Sequence, residues 1–336
     1  MGKTAVVILN WNGEEHLRRF LPSVVKNTPA GVDIIVADNG STDDSVAMLE
    51  REFPEVGIIR LERNFGFAEG YNRALERVDA EYCVLLNSDV ETPAHWLEPL
   101  VARLDSDAAI AATAPKLLSV GNRDEFEYAG ASGGFIDWLG YPFCRGRILQ
   151  SVEKDEGQYD DSRKVFWVSG AAFCCRLGVF KQLGGFAGDF FAHMEEIDLC
   201  WRMQLAGYSV VIEPASTVYH LGGGTLVKNS PRKIFYNHRN NLAMLLRCAS
   251  GGQRLAVILL RPLADMLAAL SYLAQGHPDW AWAVVRAHRD FLKWHPRLLA
   301  ERRKIREAAV SESEEIYKGS IVLRYLLGMR TFGKIV

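Results

Sequence analysis

The 336-residue sequence has no excess of either charge, no Cys-x-x-Cys pair and no uninterrupted apolar run of membrane-spanning length. Lysine and arginine number 39 against 41 aspartates and glutamates, a formal net charge of −2. That balance argues against a broadly basic nucleic-acid binder and against an acidic disordered chain. The six cysteines (Cys83, Cys144, Cys174, Cys175, Cys200 and Cys248) lack zinc-finger spacing, so reduced, mostly buried thiols are expected. The opening MGKTAVVILNWNG lacks the basic and apolar regions of a secretory signal, and a cytoplasmic protein is expected. The most apolar stretch, 255–274, contains Arg261, Pro262 and Asp265. A span needs about 20 mostly uncharged residues, so this stretch is expected to be a buried or interfacial helix. Gly2-Lys3-Thr4 has no upstream glycine or preceding strand and is not a phosphate loop; GxGxxG after the first apolar run and GxSxG are also missing.

What is present is a globular mix, 49% hydrophobic and 24% charged, with ample side chains for a core. The length fits two structural units, or one large α/β domain with an extension. Apolar runs at 4–9, 32–37, 57–61 and 82–86 read as buried strands. Between them, Leu17, Phe20, Leu21, Val24 and Val25 recur on one helical face, 43–51 reads as a helix capped by Ser41, and Tyr71, Leu75 and Val78 form a third stripe. Thr92-Pro93 has the cap-then-proline pattern of a helix start. Such alternation predicts a doubly wound, mostly parallel sheet, in which ligands bind beyond the carboxyl ends of the strands. Polar clusters stand at four such ends: Asn10-Trp11-Asn12, Asp38-Asn39-Gly40-Ser41, Asn64-Phe65-Gly66 and Asn87-Ser88-Asp89. A nucleotide-sized cleft is the expectation.

Residues 105–165 are glycine-rich and read as short strands with a mobile loop. Beyond them, 165–169 reads as a strand, 176–183 and 195–206 as helices, and 209–213 and 217–220 as strands. From about 231 the pattern is helical: 233–247, 253–274, 280–306 and 316–327.

Five features carry candidate chemistry, each beside a plain structural role. Asp38 can accept from a base or ribose, or simply cap a turn. Asp89 can hold a divalent cation on a diphosphate, or close a strand end. Glu195, Glu196 and Asp198 suit a helix start, yet follow the apolar Phe190-Phe191-Ala192-His193-Met194, where a carboxylate can acquire the raised pKa of a general base. His220, before Gly222-Gly223-Gly224-Thr225, can ligate a metal or sit at a sheet edge. Arg239 and Asn240, with Lys233 and His238 near a helix start, can meet an anion, or form a solvated face.

Taken in order, VVILNWNG (6–13), VADNGSTDDS (36–45), RNFGFAEGYNRAL (63–75), LLNSDVETP (85–93), SGAAFCCRLGVFKQLGGFAGDFF (169–191), MEEIDLCWRMQLAGY (194–208), VYHLGGGT (218–225) and FYNHRNNLAMLLR (235–247) resemble family 2 glycosyltransferases, in particular the bacterial rhamnosyltransferase-like branch. The resemblance covers about residues 4–247. It implies a GT-A fold, a mixed α/β sheet with a C-terminal helical extension, and divides the chain into a transferase domain over 1–232 (donor site in 1–115, acceptor and base part in 165–232) and a helical region over 233–336. It implies that Asp38, Asn10, Asn12, Asn64, Gly66 and Asn72 serve the nucleotide, with Asn87 and Arg239 on the donor side. Asp89 and His220 would hold Mn2+ or Mg2+. Asn87 stands first in the metal motif, where an aspartate is usual. Glu196 aligns with the usual base aspartate, with Glu195 as the alternative. Asp198, Trp201 and Arg202 would shape the acceptor side. The implied reaction is an inverting transfer of rhamnose or another hexose from a nucleotide-diphosphate sugar to a saccharide or lipid-linked hydroxyl, in cell-surface polysaccharide synthesis. A nucleotidyltransferase and a non-catalytic sugar-binding protein are the rival readings. No nucleic-acid partner is expected.

Residues 286–306 carry eight lysines and arginines against Asp290 and Glu301, interleaved with Phe291, Trp294 and Leu298 and preceded by Trp280 and Trp282. Three uses stand open for this region: peripheral contact with the cytoplasmic face of a membrane, a solvated helical cap, or a homodimer interface.

Overall fold

The computed structural model describes residues 3–222 and 230–336. Its first apolar run forms β1 (Thr4–Asn10), and parallel neighbours cover both edges, β2 (Asp33–Asp38) on one side and β4 (Tyr82–Asn87) on the other; β3 (Gly57–Arg60) extends the sheet beyond β2. Helices α1 (Glu14–Asn27), α2 (Ser45–Glu52) and α3 (Gly66–Glu76) make the crossovers. The expected start of a helix at Thr92 is not observed. Asn27 and Ser23 of α1 bind the Thr92 backbone, and α4 (Glu98–Ser106) begins only after the chain has crossed.

The second half of the sheet is mixed. The strands β5 (Val90–Glu91), β6 (Ile110–Ser119), β11 (Arg163–Lys164), β12 (Ala172–Arg176) and β13 (Ser209–His220) complete the order β11-β13-β6-β12-β4-β1-β2-β3, with β5 against β13. β12 runs antiparallel between β4 and β6, and its Ala172, Phe173, Cys174 and Cys175 are fully buried. The strand expected at 165–169 is corrected: there Trp167 makes one bridge to Gly134, with its indole donating to Phe135 O at 3.0 Å. The two strands expected at 209–220 are one, passing through a bulge between Glu213 and Thr217.

Between β6 and β11, a small second sheet holds β7 (Gly134–Asp137), β8 (Pro142–Cys144), β9 (Arg147–Ile148) and β10 (Ser151–Val152). The loop expected to be mobile is tied down. Arg145 pairs with Asp161, Lys116 Nζ lies 2.8 Å from Asp155, and Ser132 donates to Tyr159 O. After α5 (Leu177–Gln182) and α6 (Glu195–Leu205) come α7 (Pro231–Cys248), α8 (Gly251–Ala274), α9 (Pro278–Glu307) and α10 (Ile321–Leu326). β14 (Ile316–Tyr317) takes the first turn of the helix expected at 316–327 and pairs with β7. Ala243, Met244 and Leu245 of α7, with Leu298, Ile321 and Phe332, share one apolar core with Val7 and Leu85 of the sheet. All six cysteines are free and buried.

The stretch expected to be buried or interfacial is mostly exposed, which corrects the buried alternative. α8 is long and apolar enough, by length and composition, to cross a membrane. Its Arg261 and Asp265 face inward. Arg261 donates to Leu139 O at 2.8 Å and to Asn241 Oδ1, and Asp265 accepts from His288 at 2.9 Å and faces His238 at 3.2 Å.

Candidate functional site

A cavity of about 410 Å³ opens at the carboxyl ends of β1 and β4, where the strand order predicts a ligand. Asn12, Asn64, Gly66, Asn87, Asp89, Glu195, Glu196 and His220 all line it. Asn10 and Asp38 lie buried at the adjoining strand ends and brace its rim. The Asn10 amide donates to Asp38 Oδ1 (3.3 Å) and Ser41 Oγ (3.2 Å), and Ser41 Oγ also accepts from the Asn12 amide nitrogen (2.9 Å). Asn39 laces the next turn, donating to Asn64 Oδ1 (3.2 Å) and Gly66 O (3.0 Å). Gly66 sits at φ +82°, and an added Cβ would stand 2.6 Å from the Phe191 ring, so the turn has room only for glycine.

Pairing of β5 with β13 brings Asp89 and His220 together across 131 residues. His220 Nε2 lies 3.1 Å from Asp89 Oδ1, and its Nδ1 lies 3.4 Å from Glu127 Oε1. Burial disfavours the imidazolium, but the Glu127 and Asp89 carboxylates outweigh it and push the His220 pKa up to about 10. Imidazole and carboxylate together suit a divalent transition metal. Asp89 and His220 would be the residues to hold such an ion, with the proton now between them displaced. No cluster of three or more protein ligands occurs among the described residues, so phosphate oxygens and water would complete such a site. The glycine-rich segment 223–225 lies outside the described residues.

The Glu195–Glu196 pair opens α6 after an unusual loop. Phe191, His193 and Met194 have φ of 67°, 71° and 73°, conformations that cost on the order of 1–3 kcal/mol each and persist only when neighbours enforce them. Here the neighbours are polar. Asn240 donates to Phe190 O (3.0 Å), Ala192 O (3.0 Å) and His193 O (2.8 Å), and Arg239 donates to Asp189 O and Phe190 O. Phe191 O in turn accepts from Phe67 N and Ala68 N at the start of α3. Among the described residues, one oxygen of each glutamate has no hydrogen-bond partner. Burial pushes Glu196 up to about 7, and burial plus the Glu196 charge holds Glu195 well above the usual carboxylate range.

Besides Asn10 and Asp38, five expected site residues lie outside the cavity. Asp198 is fully buried and binds Arg202 at 2.8 Å; Arg202 also donates to Leu183 O and Gly185 O. Trp201 packs edge-on against Phe166 in the core. Asn72 binds both backbone groups of Phe186. Arg239, expected at the donor, is the loop clamp described above, enclosed by Phe235, Tyr236 and Trp294. His238 faces Asp265 instead of the cavity. Lys233 does line it. Sequence reasoning missed Glu127, His193 and Arg232, and it expected Asn240 at an anion where the structure makes it a loop clamp. Of these, His193 and Arg232 line the cavity, and burial lowers the His193 pKa to about 4. Glu127 sits in a stretch without periodicity, and only its pairing with His220 marks it.

The sequence profile of Glycosyl transferase family 2 matches residues 5–171. The chain is 26% identical over 276 residues to the N-acetylglucosaminyl-diphospho-decaprenol L-rhamnosyltransferase of Mycobacterium tuberculosis, covering 74% of this chain and 86% of that one. Among solved structures, GalNAc-T7 with UDP, GalNAc and Mn2+ matches with a TM-score of 0.62 at 18% identity, over 88% of this chain and 58% of that protein. TarS 1–349 of S. aureus with UDP-GlcNAc matches at 0.57 and 17% identity, over 97% of this chain and 92% of that one. With the strand-end cavity, these identify residues 5–171 as a glycosyl transferase family 2 domain and the chain as a nucleotide-sugar-dependent glycosyltransferase of the GT-A fold.

Proposed function

We propose that the cavity transfers a hexosyl group, rhamnosyl in first place, from a nucleotide-diphosphate sugar to a hydroxyl of a lipid-linked saccharide. Cell-surface polysaccharide assembly at the cytoplasmic face of a membrane is the setting. The single observation that carries the reading is that Asp89 and His220 line the same cavity as Glu195 and Glu196. The similar mycobacterial enzyme is named for a diphospho-decaprenol acceptor and rhamnose, which supports the choice of substrates.

In this reading the Asn12, Asn64 and Gly66 turns receive the nucleotide, braced by Asn10 and Asp38. Asp89 and His220 hold a divalent cation, which when bound supplies positive charge to the leaving diphosphate. Arg232 and Lys233 face the same space. Glu196, with its raised pKa, takes the proton from the acceptor hydroxyl as that oxygen bonds to the anomeric carbon and the carbon–phosphate oxygen bond breaks. Inversion follows from attack opposite the leaving group. General-base help of this kind is worth about 10²–10⁴ in rate.

The test is thermal shift with a panel of nucleoside diphosphates and nucleotide sugars, with and without Mn2+. A shift with one base that needs Mn2+ and vanishes in Asp89→Ala supports the reading. A folded sample that responds to no member sinks it.

A further inference from the structure

α8 is amphipathic in reverse. Its inward stripe, at four-residue spacing, is Gln253, Val257, Arg261 and Asp265, three of them polar. Each polar member has a partner within the protein: Trp138 O for Gln253, Leu139 O and Asn241 for Arg261, His238 and His288 for Asp265. Its outward face is apolar: Leu255, Leu259, Leu263, Met266, Leu267 and Leu270 are each half exposed or more, Leu259 at 65%. A helix in water places these faces the other way round.

The apolar surface continues onto α9. His288, which bonds Asp265, marks the edge of α9 that meets α8. Val285 and Leu292 lie three residues before it and four after it, on the same edge, and both are exposed. Arg289 and Lys293, one position further round, are exposed and rim this surface, with Asp290 offsetting one of the two charges. Trp282 on α9 and Trp138, whose carbonyl binds Gln253, stand exposed beside it. Cations and tryptophans around an apolar helix face are the pattern of a protein lying in the headgroup layer of an anionic bilayer.

We infer that the outward face of α8, with the adjoining edge of α9, seats this protein on the surface of an anionic lipid bilayer. The helix lies in the interface and does not cross it. A crossing would pull Arg261 and Asp265 from their buried partners into hydrocarbon, where such groups are costly. A second copy of the chain is the rival occupant; the exposed Trp138 and Trp282 beside the face and the Arg289 and Lys293 rim favour the lipid interface. The inference rests on the helical surface and stands apart from the choice of acceptor, although a lipid-linked acceptor gives the surface a use.

The experiment is flotation of the full chain with phosphatidylcholine vesicles, with and without about one-third phosphatidylglycerol. The wild type is expected to float with the anionic vesicles, and Leu259→Glu/Leu267→Glu to stay at the bottom with its Tm unchanged, since both side chains are exposed. Arg289→Glu/Lys293→Glu is expected to weaken binding by at least about fivefold for each cation lost. Failure of the folded wild type to float, or equal flotation of the leucine variant, overturns the inference. A wild-type dimer that the leucine variant converts to monomer, without lipid binding, overturns it in favour of a self-contact. Nucleotide-dependent thermal shift on the same samples reads the donor site separately, so failure of one conclusion does not pass for failure of the other.

Discussion

At the scale of single residues, burial gives the site its acid–base character. Glu196 is held near pKa 7 against an ordinary 4.5, with desolvation as the leading cause. A carboxyl raised in this way favours its protonated form in the folded state, so the stability present below about 4.5 is lost as pH rises through about 7. Two outcomes follow for Glu196→Gln. Transfer falls by about 10²–10⁴ while the nucleotide-dependent thermal shift persists. Tm rises at pH 8 and changes little at pH 5, as scanning calorimetry at the two values would show. In the wild type, kcat/KM climbs with pH through about 7. His220 works in the opposite sense, its imidazolium retained by two carboxylates. Glu127→Gln removes one of them, and NMR titration of the metal-free protein should find the His220 pKa shifted down from about 10.

At the scale of elements, the strand-end clusters were legible because parallel strands buried on both faces write themselves as apolar runs, and the polar residue ending each run marks the ligand side. Asn12, Asn64, Asn87 and Asp89, chosen this way, line the cavity. The same reasoning misplaced Asp198, Trp201, Arg202 and Arg239, since proximity in sequence to an acid pair does not tell which face of a buried helix a side chain occupies. β12 was passed over because its Ala-Phe-Cys-Cys run is short and lacks alternation, and its place in the sheet depends on neighbours about 60 and 90 residues away. The clamp from α7 is an element-scale device as well. Asn240 spends its amide on three carbonyls of the loop that presents the glutamates. Asn240→Ala strips Ala192 O and His193 O of this donor, while Phe190 O keeps Arg239, a loss worth about 1–3 kcal/mol. We expect a lower Tm and a kcat loss larger than the change in donor affinity, read from paired calorimetry and steady-state kinetics.

At the scale of the whole molecule, Ala243, Met244 and Leu245 of α7, Leu298 of α9 and Ile321 of α10 join the core that holds the sheet. The family profile ends at residue 171, one residue before β12. That coincidence has a consequence for how the chain is made. While the ribosome has released only the segment that the profile covers, β4 and β6 stand with their facing edges bare, and the gap between them is the width of one strand. Open edges of that kind template association between chains, and long-range pairing delays their closure. A nascent segment of this length would expose its most apolar strands to other chains, and the sheet is complete only when Ala172–Arg176 has entered antiparallel between β4 and β6 and β13 covers the other edge of β6. A chain ending at residue 171 is expected to aggregate, judged by light scattering after refolding, where the full chain stays dispersed. An added peptide spanning 169–177 should lower that scattering by filling the vacant place.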